Sequence, residues 1–247
     1  MSPHNWWKIN TRIKTMPTSN PLLNDDEFRD LQALDSCSVA DAIERFNVQL
    51  RNEGHTEGGL SCRFPQMGSM LGYAFTLQVR SYAPPTKRKA YDLENTQWWD
   101  ELLALPYPRI LVVQDMDRHP GAGALIGDLH ATILKKLGCI GVVTNGAVRE
   151  INRVQPLDFH MFSGHLSVSH SYSHVVQSGT HVQIGGLEIN NGDLLHGDQH
   201  GIVRVPRELA SRIPRTAQAL RQKEADIAAY CASPDFSIEQ LRALIQS

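Results

Sequence analysis

Cysteine is scarce: Cys37, Cys62, Cys139 and Cys231 lie far apart, with no CxxC pair. That argues against a disulfide framework and fits reduced, mostly buried thiols of an intracellular, cytoplasmic protein better. No apolar run approaches the roughly 20 residues that a membrane span needs. An excess of one charge is missing too. Twenty-four Lys and Arg against 26 Asp and Glu leave a formal net charge of -2. Nothing electrostatic therefore argues for nucleic acid or an anionic membrane as partner. There is no internal repeat and no low-complexity segment. What remains is 247 residues, 41 % hydrophobic and 20 % charged, ordinary for one large soluble domain or one domain with extensions.

The chain is organised around Gly121 to Arg153. Gly121, Gly123 and Gly127 allow a close backbone approach and positive φ. Leu129, Ile133 and Leu137 then recur at helical spacing, with Gly138 as a C-cap. Cys139, Ile140, Val142 and Val143 predict a buried strand. It empties into Thr144-Asn145-Gly146, read as a turn, and then Arg149-Glu150. Two loops separated by one helix and one strand can meet at the same end of a sheet. The glycine turn would then face an arginine and a carboxylate.

Residues 1–24 predict a loosely docked polar tail; Lys8, Arg12 and Lys14 are its only charges, a faint likeness to a mitochondrial address. Asp25 to Phe46 predicts two helices, the second capped by Ser36 or Ser38. Gly72 to Val79 alternates as a strand, and Pro84-Pro85 with Lys87-Arg88-Lys89 predicts a solvated loop. A helix over Asn95–Leu105 carries Trp98 and Trp99 as packing residues and stops at Pro106 and Pro108. Arg109 to Asp115 predicts a buried strand. Pro156 to Gly164 reads as loop, His165 to Gln177 as strand-like, and Leu187 to Val205 as two short strands joined by turns. Helices follow over Arg207–Cys231 and from Ser237, with Gln240 completing a capping box. The fold class is α/β with mixed sheets and helical extensions at both ends. The expected divisions are residues 1–24, 25–215 and 216–247.

Three constellations carry chemistry. Gly121-x-Gly123-x-x-x-Gly127 has the look of a dinucleotide fingerprint, but a gap including Pro120 separates it from the preceding strand, and no second mononucleotide half follows. The same loop suits a smaller anion. Gly127, Asp128, Leu129 and His130 begin a helix, so their amides are unpaired donors at the positive end of its dipole. Arg149 adds a planar fork for a carboxylate. Glu150 could hold a hard divalent cation, and Asp128 could be a metal partner or general base. The plainer reading makes Arg149-Glu150 a surface pair and Asp128 a helix-terminal charge. Thirdly, His165, His170, His174 and His181 invite a zinc site, with His170, Tyr172 and His174 on one strand face. Their spacing matches no standard signature, so a hydrogen-bonded polar segment is the simpler expectation.

The run GDLHATILKKLGCIGVVTNGAVRE resembles the core of the RraA-like family, which includes 4-hydroxy-4-methyl-2-oxoglutarate/oxaloacetate aldolases. The matching positions are Gly127 to His130, Gly138 to Val143, and Asn145 to Glu150. Val39 to Ala42, Gly72 to Thr76, and Gly192-Asp193 through Gly201 to Pro206 extend the resemblance over roughly residues 30–210. It implies a swivelling β/β/α domain, assembled as a homotrimer or homohexamer with sites near subunit contacts. It also implies a metal-dependent lyase for pyruvate-yielding 2-oxo acids. Gly127, Asp128, Leu129, His130 and Arg149 would bind substrate, and Glu150 would take the metal position, with Mg2+ or Mn2+ expected. Three departures stand out: Glu150, Asn145 and His200 each replace an Asp usual in the family.

The expected chemistry is carbon–carbon cleavage through a pyruvate enolate, with Asp128 as base and Arg149 stabilising developing charge. Oxaloacetate decarboxylation would use the same enolate. Lys135 and Lys136 are expected to face solvent rather than form a Schiff base. The alternative is a non-catalytic regulator of the same family that binds a ribonuclease or another protein.

Overall fold

The computed structural model describes residues 22–85 and 96–246. Most of the predicted tail and the Lys87-Arg88-Lys89 run lie outside the described residues. The chain opens with α1 (Asp25–Gln32) and α2 (Ser36–Glu44), then β1 (Ser61–Cys62) and β2 (Met70–Arg80). After α3 (Trp98–Leu103) come β3 (Arg109–Asp115), β4 (Ala124–Ile126), α4 (Asp128–Lys136) and β5 (Cys139–Val148). A single turn, α5 (Ile151–Val154), leads to β6 (His160–Leu166) and β7 (His174–Ser178). The hairpin β8 (Val182–Ile184) and β9 (Leu187–Ile189) precedes β10 (Leu194–Asp198) and β11 (Gly201–Val205). The chain ends in α6 (Ile213–Cys231) and α7 (Ile238–Gln246). No helix among the described residues is long and apolar enough to cross a membrane.

Seven strands form the path β1-β6-β5-β3-β2-β10-β11, with β4 added on β5 and β7 on β2. The pairs β2–β3, β3–β5, β4–β5 and β5–β6 are parallel, whereas β1–β6, β2–β7, β2–β10 and β10–β11 are antiparallel. The sheet is mixed, as the helix-linked and hairpin-linked strands imply.

Strand alternation explains the packing. Leu111 and Val113 of β3 face a core shared with Phe75, Leu77, Trp98, Leu134 and Met161, under α3 and α4. Ile110 and Val112 point the other way, onto Ala74, Val143, Phe162 and the β8–β9 hairpin. Both faces are covered, which is why these strands read as unbroken apolar runs. A third cluster buries Leu31, Val39 and Ile43 of α1 and α2 with Tyr73, Leu194, Val203 and Ile213. Trp98 lies 5.9 Å from Phe75, ring on ring, so it packs as expected. Arg109, fully buried, donates to the carbonyls of Leu103, Leu105 and Leu137. It thereby satisfies groups that helix C-termini leave unpaired at the ends of α3 and α4.

Several sequence expectations fail for local reasons. The predicted loop Pro156–Gly164 contains most of β6, a central strand parallel to β5. Its His and Ser residues hid a strand that neighbours on both sides complete. The Asn145-Gly146 turn is instead an irregularity inside β5, where the register with β6 shifts between Thr144 and Ala147. Asp35, not Ser36 or Ser38, caps α2 by accepting from the Ser38 amide. His170 and Tyr172 sit in the loop between β6 and β7, so they share no strand face with His174. Among the described residues, no group of three or more His, Cys, Asp or Glu could hold a metal, and the histidine zinc site has no support.

Candidate active site

Two parallel strands set the site. Ala124 pairs with Ala147 and Ile126 with Val148, so β4 and β5 end side by side. Beyond Ile126 the chain turns into α4 at Gly127-Asp128; beyond Val148 it turns into Arg149-Glu150. This is the carboxyl end of a parallel pair, where open α/β sheets place ligands. The Arg149 amide donates to the Ile126 carbonyl at 3.0 Å and locks the two turns together.

The predicted residues then converge. Glu150 Oε2 accepts from the Asp128 amide at 3.1 Å, and Glu150 Oε1 accepts from Arg149 Nη2 at 2.9 Å. Asp128 Oδ1 accepts from the Leu129 amide at 2.7 Å. Arg149 Nε is buried without a hydrogen-bond partner among the described residues, a donor whose desolvation nothing there offsets. Gly127 has extended backbone; what it supplies is room. A Cβ there would lie 2.4 Å from Glu150 Oε2 and 3.1 Å from Arg149 Cγ. Glu150 itself is left-handed, φ 56°, a backbone state uncommon outside glycine.

Leu129 does not join the apolar face of α4. It is 54 % exposed, and Ala131 and Leu134 carry the burial instead. His130 is half-buried; burial pushes its imidazole below the ordinary value, His170 adds to the shift, and Glu150 opposes it. Burial works against charge on Asp128, yet the Glu150 side chain, the Leu129 amide and Arg153 outweigh it and hold the carboxyl below its usual range. Arg153 was missed by the sequence reading. Its Nη1 lies 3.5 Å from Asp128 Oδ2 and 3.9 Å from Glu150 Oε1. The signal was its position three residues after Glu150 at a helix start.

Asp115 shapes the glycine loop. Its Oδ2 accepts from the Gly121 amide at 2.9 Å and from Ser81 Oγ at 2.8 Å, and its Oδ1 from the Asp117 amide at 3.1 Å. Gly121 alone of the three glycines takes positive φ, 94°. Gly123 is required by crowding, since a Cβ there would meet the His170 carbonyl at 2.1 Å. Asn145 accepts from the Asp115 amide at 2.7 Å and donates to the Asp115 carbonyl at 3.0 Å. An amide can do both, which an ionised aspartate cannot; Asn145 is a strut between β3 and β5.

His200 lies elsewhere. Its turn follows β10, which pairs Gly197 with Met70 at the start of β2, whereas the site is at the strands' far end. Two surface depressions are also remote from these residues. One of about 540 Å³ lies between α1 and α6, lined by Asp30, Arg215 and Arg221; another of about 390 Å³ is lined by Asp41, Glu44 and Glu224. Arg221 is already paired with Asp35, so size alone does not make these grooves a site.

The family model described as RraA-like: Aldolase/RraA matches residues 36–204. Protein DlpA of Legionella pneumophila is 24 % identical over 234 residues, 92 % of this chain and 35 % of that protein. A Halalkalibacterium halodurans protein named "Putative 4-hydroxy-4-methyl-2-oxoglutarate aldolase" is 27 % identical over 124 residues, 50 % of this chain and 58 % of its own length. The chain thus spans about a third and somewhat over half of these two relatives. The solved structure of Streptomyces coelicolor RraAS2, described as an unusual member of the RNase ES inhibitor RraA protein family, superposes with a TM-score of 0.64. It is 23 % identical, covering 82 % of this chain and 96 % of that one, a likeness of fold.

Proposed function

The chain belongs to the RraA-like family, and we propose that within it this protein is a divalent-metal-dependent lyase that cleaves a carbon–carbon bond of a 2-oxo acid. One observation carries the reading: Arg149, Glu150 and Asp128 converge on the start of α4, with Arg149 Nε buried and unpartnered. A surface ion pair would not leave a desolvated donor beside two carboxylates. The substrates to be expected are oxaloacetate and 4-hydroxy-4-methyl-2-oxoglutarate, both yielding pyruvate. Residues 25–215 would carry the chemistry, in an assembly of three or six copies.

The donor set suits a hard cation. Glu150 and Asp128 offer carboxylate oxygens from adjacent elements, and Mg2+ commonly binds through one or two carboxylates while keeping waters. Bound there, Mg2+ or Mn2+ would polarise the 2-oxo group as a Lewis acid. The protein's own residues do the rest. Arg149 offers its guanidinium to the substrate carboxylate and, with the helix-start amides, stabilises the oxygen on which enolate charge develops. The amide of His130 is not engaged by either Asp128 or Glu150, which leaves it for that oxygen. Asp128, ionised at neutral pH, accepts the proton of the substrate hydroxyl. Decarboxylation of oxaloacetate requires the same stabilisation and no base.

A second reading, a regulator that binds another protein, is favoured by a different feature. Leu166, Val168, Tyr172 and Val176, spread over the end of β6, the loop after it and β7, are each exposed, Val168 at 96 %, and exposed apolar side chains suit contact with another protein. Pyruvate release from the two substrates, with EDTA and then with Mg2+ or Mn2+ restored, separates the readings. Metal-restored turnover, lost in Arg149→Ala, is expected of the lyase; no pyruvate with any metal would favour the regulator.

A further inference from the structure

The seat that the proposed function gives to the substrate carboxylate already holds one from this chain. Glu150 Oε2 sits on the Asp128 amide at 3.1 Å while Oε1 is held by Arg149 Nη2 at 2.9 Å. Space is made for it, since any side chain at position 127 would collide with Oε2 at 2.4 Å. The left-handed backbone at Glu150, φ 56°, directs the side chain back toward α4, and α5 begins at once behind it. Arg149 Nη2 is taken and Nε has no partner among the described residues. An aspartate at 150 would be one methylene shorter and would fall short of the Asp128 amide.

We propose that Glu150 is a specificity-determining residue that closes the anion seat against free carboxylates until its own carboxylate is drawn away. The inference rests on the site reading above, in that Arg149 and the helix-start amides are the anion's donors. An incoming carboxylate that takes the Asp128 amide and Arg149 Nη2 must displace Glu150, which holds both. A divalent cation that engages Glu150 frees them, so cation binding comes before anion binding. The gate also selects. An anion that offers only one carboxylate and nothing to a cation gains no more than Glu150 already supplies, whereas a 2-oxo acid presents its carbonyl as well.

Pyruvate binding followed by ¹⁵N amide spectra in EDTA tests this on the 247-residue chain, because it needs no turnover. Glu150→Asp is expected to bind pyruvate about tenfold more tightly than wild type without metal, a shift of about 1.4 kcal/mol. The Asp128 amide proton is expected to move upfield in Glu150→Asp before any ligand is added. Gly127→Ala evicts the Glu150 carboxylate by a different route and should move the same resonance in the same direction. Equal pyruvate affinity in wild type and Glu150→Asp would overturn the gate and leave the site reading standing. So would an Asp128 amide unmoved in both variants. Failure of pyruvate to bind any form, with or without Mg2+, would overturn the seat and the gate together.

Discussion

Two ends of one sheet use the same device for different ends. At the β10–β11 turn, Asp198 Oδ2 accepts from the Ser36 amide at the start of α2, at 2.8 Å. At the β4–β5 end, Glu150 Oε2 accepts from the Asp128 amide at the start of α4. Each is a carboxylate from a distant loop set on a helix N-terminus, favoured by the dipole and the unpaired donors. Asp198 is buried and saturated: its Oδ1 also takes the His200 amide at 2.8 Å and His200 Nδ1 at 3.1 Å. Burial opposes its charge, but the Ser36 and His200 amides outweigh it and keep the carboxyl below the usual range. Glu150 is reachable from solvent, carries a left-handed backbone, and shares an arginine with an empty donor. A buried cap with both oxygens held serves stability. A cap that solvent can reach, on a left-handed residue, can be exchanged for a ligand.

Substitution breaks the comparison most sharply at Arg149. Arg149→Ala is expected to lower metal-dependent pyruvate release by about 100- to 1,000-fold while thermal unfolding stays near wild type. Asp198→Ala should do the reverse. Stranding the Ser36 and His200 amides costs roughly 3 kcal/mol, seen as a fall of about 10 °C in melting temperature. Pyruvate release measured below that transition should be little changed.

Acid sharpens the contrast next. His196, fully buried, bonds Ser36 Oγ through Nδ1 at 3.0 Å, and burial pushes its imidazole from 6.5 to about 4. A folded value below the unfolded one means that the unfolded chain binds more protons in between. Stability contributed at neutral pH is therefore lost as pH falls from about 6.5 to about 4. Urea midpoints at pH 7 and pH 4.5 should differ accordingly, and His196→Gln should flatten the difference. The smallest effect is expected at Arg153, whose side chain is 73 % exposed. Arg153→Ala should leave urea stability within about 0.5 kcal/mol of wild type.

Much of this was legible in the chain. The spacing from Gly127 to Glu150 encoded a helix and a strand, hence two turns at one end, and the β4–β5 pairing joins them. Gly138, with φ 83°, does end α4. Trp98 packs; of the expected capping box only half is made, since Ser237 Oγ accepts from the Gln240 amide while the Ser237 amide donates to Tyr230 Oη. Less legible were features that depend on partners remote in sequence. β6 is a strand because β5 and β1 flank it. Asn145-Gly146 carries turn chemistry, but the Asp115 peptide 30 residues away claims the Asn145 amide, and the strand continues. Leu129 fits the helical period, yet it stays exposed on α4 while Ala131 and Leu134 take the buried face. Arg153 entered the site only because α5 folds back beneath Asp128.

By itself, the sequence determined the α/β class, the mixed sheet and which two short segments carry carboxylates and arginine. Those follow from local period, turn residues and composition, which act over a few residues. Tertiary structure decided which of the two helix-capping carboxylates is sealed and which is open. It also decided that Arg149 Nε is buried without a partner among the described residues and that Glu150 fills the seat Gly127 leaves. These depend on burial and on distances between residues about 20 or more than 100 positions apart, and burial exists only once the sheet has assembled.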